Sequence, residues 1–396
     1  MSRSGTRTAK SEGTTAGGPP TDGGSLPDGS SRDGRPTGSP PSGGSWVPKT
    51  RPTLRDVALR AGVSPTTASR VLNGKMIEVS DSTRVRVLSA AREMRYRPNA
   101  LAVGLRKRAT RVIGLIIPDI LDSYFHILAR AVTDTALEEG FVTIVCNTDR
   151  VPARERMILD LLADRRVDGI IFAGGGVNDD AHLRDELWAE CPVVAVGPHR
   201  LTFPTVRVDN AGAMQAAVRH LASQGAQRIA CLGGQPDWLI HQERLQGYLA
   251  GLESVGLERN EALIWTGDFG YDSGYVATTR ALAAGTAFDG IVSFNDNAAI
   301  GAIEALRTSG RRVPDDVLIV GCDDIPVARL MRPTLSSISF PLRELGVAAT
   351  RTLVSMIAGR SAARRQDFPY EVVVRESSIR AVEDPMREEF SFPKGA

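Results

Sequence analysis

Between Thr53 and Asn73 the chain reads TLRDVALRAGVSPTTASRVLN, and its hydrogen-bonding side chains fall at helical spacing. Pro65, Thr66, Ser69 and Arg70 project from the outward side of a short helix, whereas Thr67, Ala68, Val71 and Leu72 include the residues that face a neighbouring helix. Small polar groups beside a single guanidinium suit a helix lying in a DNA major groove, where they meet base edges and phosphates. A second set of polar groups, Asn295, Asp296 and Asp323, follows apolar runs that read as strands. Open α/β sheets bind ligands at such carboxyl ends.

The elements that present the first set are legible in capping chemistry. Thr53 is the N-cap of the first helix, with Asp56 facing back to complete a variant capping box. Leu54, Val57, Ala58 and Ala61 form the apolar stripe of that helix. Gly62 makes the turn, Val63 fills the space between the helices, and Ser64-Pro65 restarts the chain as N-cap and first helical residue. Asn73 closes the motif. A third helix opens at Ser80, with Val85, Leu88, Ala91 and Met94 as its expected buried face. Pro98 then breaks the chain. Asn99 caps a segment from Ala100 to Leu105 that is too short to be stable alone, so its order depends on a partner.

Charge separates this region from the rest. Residues 51–111 hold fourteen Lys/Arg against four Asp/Glu, for +10, whereas residues 112–396 hold twenty-eight against thirty-eight, for −10. A compact basic block on an acidic body is the footprint of a localised polyanion partner. Residues 1–50 contain thirty-four Gly, Pro, Ser and Thr, a composition that cannot build a core and reads as a disordered tail. The four cysteines are widely spaced with no CxxC, as expected of thiols in a reducing cytoplasm. No apolar stretch is long enough to span a membrane, and the amino terminus lacks a signal-peptide pattern.

From Arg111 onward, β-branched runs (VIGLIIP, FVTIVC, DGIIFA, PVVAV, RIACLG, DGIVSF, VLIVG) alternate with helical patterns over 123–139, 153–165, 209–224, 241–255 and 297–310. Repeated βα units of this kind imply a doubly wound parallel architecture. The runs are too many for one comfortable sheet, so two similar subdomains facing across a cleft are expected. The expected organisation is a tail over 1–50, a helix-turn-helix domain over 51–97, a hinge over 98–110, a core over 111–380 and a second tail over 381–396. Within the core, subdomain one takes 111–208 and 340–370, and subdomain two takes 209–339 and 371–380.

Three blocks in order resemble the LacI/GalR family of transcriptional regulators. They are the segment quoted first, the stretch VSDSTRVRVLSAAREMRYRPNALAVGLR, and core motifs including VIGLIIPDILDSYF, ERLQGY, SFNDNAAIG and IVGCDD. The resemblance runs from about Thr53 to about Ile379. It implies an all-α helix-turn-helix head on an α/β core of periplasmic-binding-protein type. The implied function is a repressor that binds a palindromic operator as a homodimer and answers to a small-molecule effector, a sugar or sugar derivative. It further implies a hinge helix starting at Asn99, with Leu105 wedging a minor-groove step and Ala102 permitting close approach. Thr53, Ser64, Pro65, Thr66, Thr67, Ser69, Arg70 and Asn73 complete the expected DNA-binding set, with Pro65 and Thr66 at positions that vary operator choice.

In the core the resemblance assigns effector binding to Arg244, whose fork favours paired acceptors. Asn295, Asp296 and Asp323 supply the other polar contacts, and Tyr124, Phe125, Trp238 and Phe269 the aromatic faces. Trp238 and Ile240 stand where relatives often carry polar contacts, which argues against a purine. A periplasmic-type carrier has no use for residues 53–108. An enzyme is disfavoured as well: Gly74-Lys75 is followed by Met76 rather than Ser or Thr, the five histidines form no i, i+4 pair, and no GxSxG elbow occurs. No cofactor or metal is expected.

Overall fold

The computed structural model describes residues 52–74, 79–96, 109–174, 191–200 and 202–380. The two tails and the hinge residues Asn99, Ala102 and Leu105 lie outside these segments. The chain divides into two compact units, residues 1–96 and 97–396.

The first unit contains α1 (Leu54–Ala61), α2 (Pro65–Leu72) and α3 (Asp81–Glu93). Thr53 and Asp56 close a reciprocal capping box on α1, and Gly62 ends that helix in the left-handed conformation at φ +64°. Val57, Ala58, Ala61, Ala68, Val71, Val87, Ala90 and Ala91 form a small shared core. On α3 the buried face differs from the expected one, because Val85 is 65% exposed and Val87 is fully buried. Steps of three residues fall behind the helical repeat, so positions 85 and 94 lie about 180° apart. The face that meets α1 and α2 therefore turns from Val85 to Val87, Ala90 and Ala91.

The second unit is built on two six-stranded sheets with orders β11-β5-β4-β3-β1-β2 and β12-β10-β9-β8-β6-β7. In the first sheet β1 (Val112–Ile117) lies between β2 (Val142–Asn147) and β3 (Gly169–Phe172), followed outward by β4 (Val193–Val196), β5 (Thr205–Val208) and β11 (Arg365–Phe368). In the second, β6 (Ile229–Gly233), β8 (Gly290–Ser293) and β9 (Leu318–Cys322) are central, flanked by β7 (Ile264–Thr266), β10 (Ser336–Ser339) and β12 (Glu371–Val373). All pairings are parallel except β10 with β12. Central strands are apolar on both faces because helices cover both sides. Ile113, Leu115, Ile116 and Ile117 of β1 are fully buried, each stabilising the fold by roughly 1.5–3 kcal/mol.

The covering helices are α4 (Ser123–Glu138), α5 (Pro152–Asp164), α6 (Asn210–Ser223), α7 (Leu239–Ser254), α8 (Tyr271–Ala283), α9 (Asp296–Thr308) and α10 (Leu342–Ile357). Two helix pairs cross at glycine: a Cβ on Gly247 would overlap the Ala211 carbonyl, and one on Gly301 the Tyr271 carbonyl. The chain passes from the first lobe to the second after Val208, returns between β10 and α10, and passes again between Phe368 and Glu371. Carboxyl ends of strands from both lobes thus border one cleft.

Candidate effector cleft and DNA-reading helix

In the head, the expected DNA-binding residues divide by role. Thr53 N donates to Asp56 Oδ2 at 2.7 Å, and Ser64 Oγ accepts from Thr67 N at 3.1 Å, so Thr53, Ser64 and Thr67 spend polar atoms on starting helices. Asn73 Nδ2 donates to the Ser69 carbonyl at 2.6 Å and ends α2. Pro65, Thr66 and Arg70 are exposed on α2, Ser69 is half-buried, and Ala68 and Val71 are buried. Among the described residues, α2 therefore offers outward a short hydroxyl, a guanidinium and a rigid apolar ring, held by caps at both ends.

In the core, one cavity is lined from both lobes. The first lobe contributes Asp122, Tyr124, Phe125 and Arg150, and the second Ile240, Arg244, Phe269, Asn295 and Asp323. Tyr124 and Phe125 sit in the first turn of α4, whose N-cap Asp122 accepts from Tyr124 N at 3.0 Å. Their rings meet edge to face with centroids 4.9 Å apart. Arg244 projects from α7 and is 4% exposed; it donates to Asn210 Oδ1 at 3.1 Å, to Asp323 Oδ1 at 3.4 Å and to the Phe294 carbonyl. Asn295 caps α9 through Ala298 N at 3.0 Å and donates to the Phe269 carbonyl at 2.7 Å.

Backbone strain marks the same cleft. Phe269 has φ +70° and Asp323 has φ +103°, both in the region that favours glycine. Such conformations persist only where surrounding contacts over-determine them; Asn295 fixes Phe269, and Asp323 N donates to the Ile338 carbonyl at 2.8 Å. Burial pushes the Asp323 carboxyl up to about 7, against the pull of Arg244, so its proton is exchangeable near neutral pH. Burial also raises Asp122 above the usual carboxylate range, despite its bond from Tyr124 N.

Two of the expected effector residues lie elsewhere. Trp238 borders an adjoining outer cavity, packed against Phe269 at 5.2 Å. Asp296 is not part of the lining. Its Oδ1 accepts from Ser337 Oγ at 2.7 Å and its Oδ2 from Ile325 N at 2.8 Å. It lies behind the sheet, where it holds the strained loop after β9, and Gly321 is required there because a Cβ would overlap the Asp296 carboxylate. Asn295 and Asp296 both follow the strand, but successive residues at a helix start diverge by about 100°, which turns Asp296 away from the cavity.

Lining residues that sequence reasoning missed are Asp122, Arg150 and Asn210. Asp122 was visible as the cap inside DSYF. Arg150 follows β2, so the carboxyl-end argument applied to it as well. Asn210 follows β5, a four-residue TVRV strand without an apolar run to announce it.

A two-lobed α/β core with a polar cleft, preceded in the sequence by a capped helix-turn-helix head, is the architecture of a DNA-binding regulator. A family model for "Bacterial regulatory proteins, lacI family" matches residues 53–99, and one for "Periplasmic binding protein-like domain" matches residues 218–378. The HTH-type transcriptional regulator DegA of Bacillus subtilis (strain 168) is 34% identical over 331 residues, covering 82% of this chain and 98% of its own. Among solved structures, a CelR–cellobiose complex shares 32% identity with a TM-score of 0.64, covering 83% of this chain and 100% of that one. The Lac repressor dimer bound to operator and the anti-inducer ONPF shares 26% identity with a TM-score of 0.76, covering 84% and 100%. The chain belongs to the LacI family and is a DNA-binding transcriptional repressor of LacI type, not an enzyme. Among the described residues, no helix is long and apolar enough to cross a membrane.

Proposed function

We propose that this repressor binds a palindromic operator as a homodimer in the cytoplasm and is controlled by a sugar or sugar derivative held between the lobes of its core. The observation that carries this reading is the composition of the cleft. Small-molecule sites set a few convergent polar groups among apolar ones, and here the two lobes contribute carboxylates, guanidiniums and aromatic rings to one cavity. Hydroxyls of a saccharide would bridge the charged groups while its C–H faces pack on Tyr124, Phe125 and Phe269. A ligand touching both lobes favours one lobe arrangement over another, and only such differential contact can shift an equilibrium.

On the DNA side, Pro65, Thr66, Ser69 and Arg70 of α2 would read the major groove, with Thr53, Ser64, Thr67 and Asn73 near the backbone as they fix the helix ends. Asn99, Ala102 and Leu105 would form the hinge whose pairing at the operator centre the effector controls. This agrees with the relatives: the cellobiose complex and the operator-bound Lac repressor dimer supply the precedents for sugar and operator.

The test is a thermal-shift panel of sugars and nucleosides on the full chain, with every hit retested for its effect on operator affinity. A sugar that both stabilises the core and changes operator affinity is the expected result. Stabilisation by nucleosides alone, or hits with no effect on DNA binding, would reject the reading. On the hinge, Leu105→Gly should reduce operator bending; unchanged bending would remove Leu105 from that role.

A further inference from the structure

Arg150 occupies an unusual position in the cleft. It follows β2 in the first lobe, and both it and Asp149 adopt positive φ, +57° and +52°, without being glycine. Two consecutive left-handed residues cost strain that must be repaid locally. Their effect here is to send the Arg150 side chain over the cleft, where it lines both the inner cavity and the outer one. Its Cζ lies 4.6 Å from the Trp238 ring of the second lobe and 5.8 Å from the Phe125 ring of the first. The rings hold the flat faces of the guanidinium by cation–π attraction and leave its N–H edges open.

Those edges have no bonded counter-ion among the described residues, although the carboxylates of Asp122, Glu155 and Asp119 lie near enough to favour the charge. Among the described residues the Arg150 side chain makes no hydrogen bond and no ion pair. The neighbouring carboxylates are engaged elsewhere: Asp149 with Arg154 and Asn147, Asp119 with Leu121 N at 2.9 Å, Asp122 with Tyr124 N at 3.0 Å, and Asp323 with Arg244 at 3.4 Å. Burial pushes the guanidinium down to about 10, while the nearby carboxylates of Asp122 and Glu155 favour its charged form. Burial also raises the Asp122 and Asp323 carboxyls above the usual carboxylate range. The cleft therefore holds a half-buried guanidinium whose faces are packed between rings and whose N–H edges carry no bonded acceptor among the described residues.

We propose that Arg150 is a specificity-determining residue that selects an anionic sugar, a sugar acid or a sugar phosphate, by pairing its guanidinium edge with the ligand's charged oxygens. This rests on the reading of the cleft as the effector site. Carboxylate and phosphate share the geometry that a guanidinium fork matches in two parallel hydrogen bonds. A neutral sugar that covers the cleft would shield that fork from water without supplying charged acceptors, a penalty that favours the acid.

The experiment is titration calorimetry on the full chain with matched probes: glucuronate and glucose 6-phosphate against glucose, and galacturonate against galactose. At least one anionic probe should bind about tenfold or more tightly than its neutral counterpart, and whether uronate or phosphate does so identifies the acid. In Arg150→Gln, which keeps hydrogen-bonding capacity without charge, that preference should shrink about tenfold, with Arg150→Lys intermediate. Melting of the unliganded variants checks that they fold. Binding of neutral probes alone, or an acid preference that survives in Arg150→Gln, would overturn the assignment and leave the effector reading intact. If no probe binds and none alters operator affinity, both fail together.

Discussion

Arg207 and Glu243 form an ion pair between the lobes: the arginine is the penultimate residue of β5 in the first, and the glutamate lies in the first turns of α7 in the second. The other carboxylate oxygen, Glu243 Oε2, accepts from Asn210 Nδ2 at 3.0 Å, and Asn210 Oδ1 in turn accepts from Arg244. Four side chains thus run from the carboxyl end of β5 to the cleft. Glu243→Gln should weaken effector binding and, in a double-mutant cycle with Asn210→Ala, show a coupling of about 0.5–3 kcal/mol. Additive effects measured by calorimetry would show that the chain carries no coupling.

The pH dependence of stability follows from Asp323. Its folded-state value of about 7 lies above the ordinary 3.8, so the fold favours the protonated form. The contribution is complete below about pH 4 and is lost as pH rises through 7, by about 4 kcal/mol at the upper bound. Urea denaturation at steps between pH 4 and 8 should show the wild type losing stability relative to Asp323→Asn over that interval. Parallel curves for the two proteins would contradict it.

Asp296 accepts from Ile325 N and Ser337 Oγ and supports the loop after β9 from outside the cavity lining. Replacing it with alanine leaves Ser337 and Ile325 N without their acceptor, for a loss of about 2–4 kcal/mol. The folded fraction should nonetheless bind effector within about twofold of wild type. A tenfold loss of affinity would restore Asp296 to the site.

In the head, Arg70→Ala separates two modes of contact. If Arg70 reads a base edge, the loss should be about 1–3 kcal/mol and confined to operators carrying that base. If it meets phosphate, affinity should fall on all sequences and the slope of log affinity against log salt should drop by about 1. Fluorescence anisotropy at several salt concentrations decides, and no change in either quantity would exclude Arg70 from the interface.

What could be read from the chain alone followed the strength of local signals. Thr53, Gly62 and Ser64-Pro65 announce helix ends through side chains that bond their own backbone, so α1 and α2 were legible almost to the residue. Six of the seven apolar runs became interior strands covered on both faces, whereas FVTIVC became the edge strand β2, whose Val142, Ile144 and Val145 are exposed. The strands IWT, SSIS, RQDF and EVV gave no such sign. They lie toward sheet edges, or bury small hydroxyls such as those of Ser336 and Ser337, and tertiary pairing alone decides their conformation. The cleft divided in the same way. Tyr124 and Phe125 follow a helix cap, and Asp323 and Asn295 follow apolar strands. Arg150 reaches the cleft through two left-handed residues that no composition rule foretells, and Asp296 turns away by one helical step.

The threefold passage of the chain between the lobes bears on how the core can be divided. A chain ending after Phe340 would lack α10, which covers β3, β4 and β5, and β11, which pairs with β5. The first lobe would then expose Val194, Val196 and Val206, all buried in the intact protein. Neither lobe is a contiguous stretch of sequence, so neither can be expressed alone by simple truncation. Partial proteolysis within the connections should yield nicked but associated fragments rather than free halves.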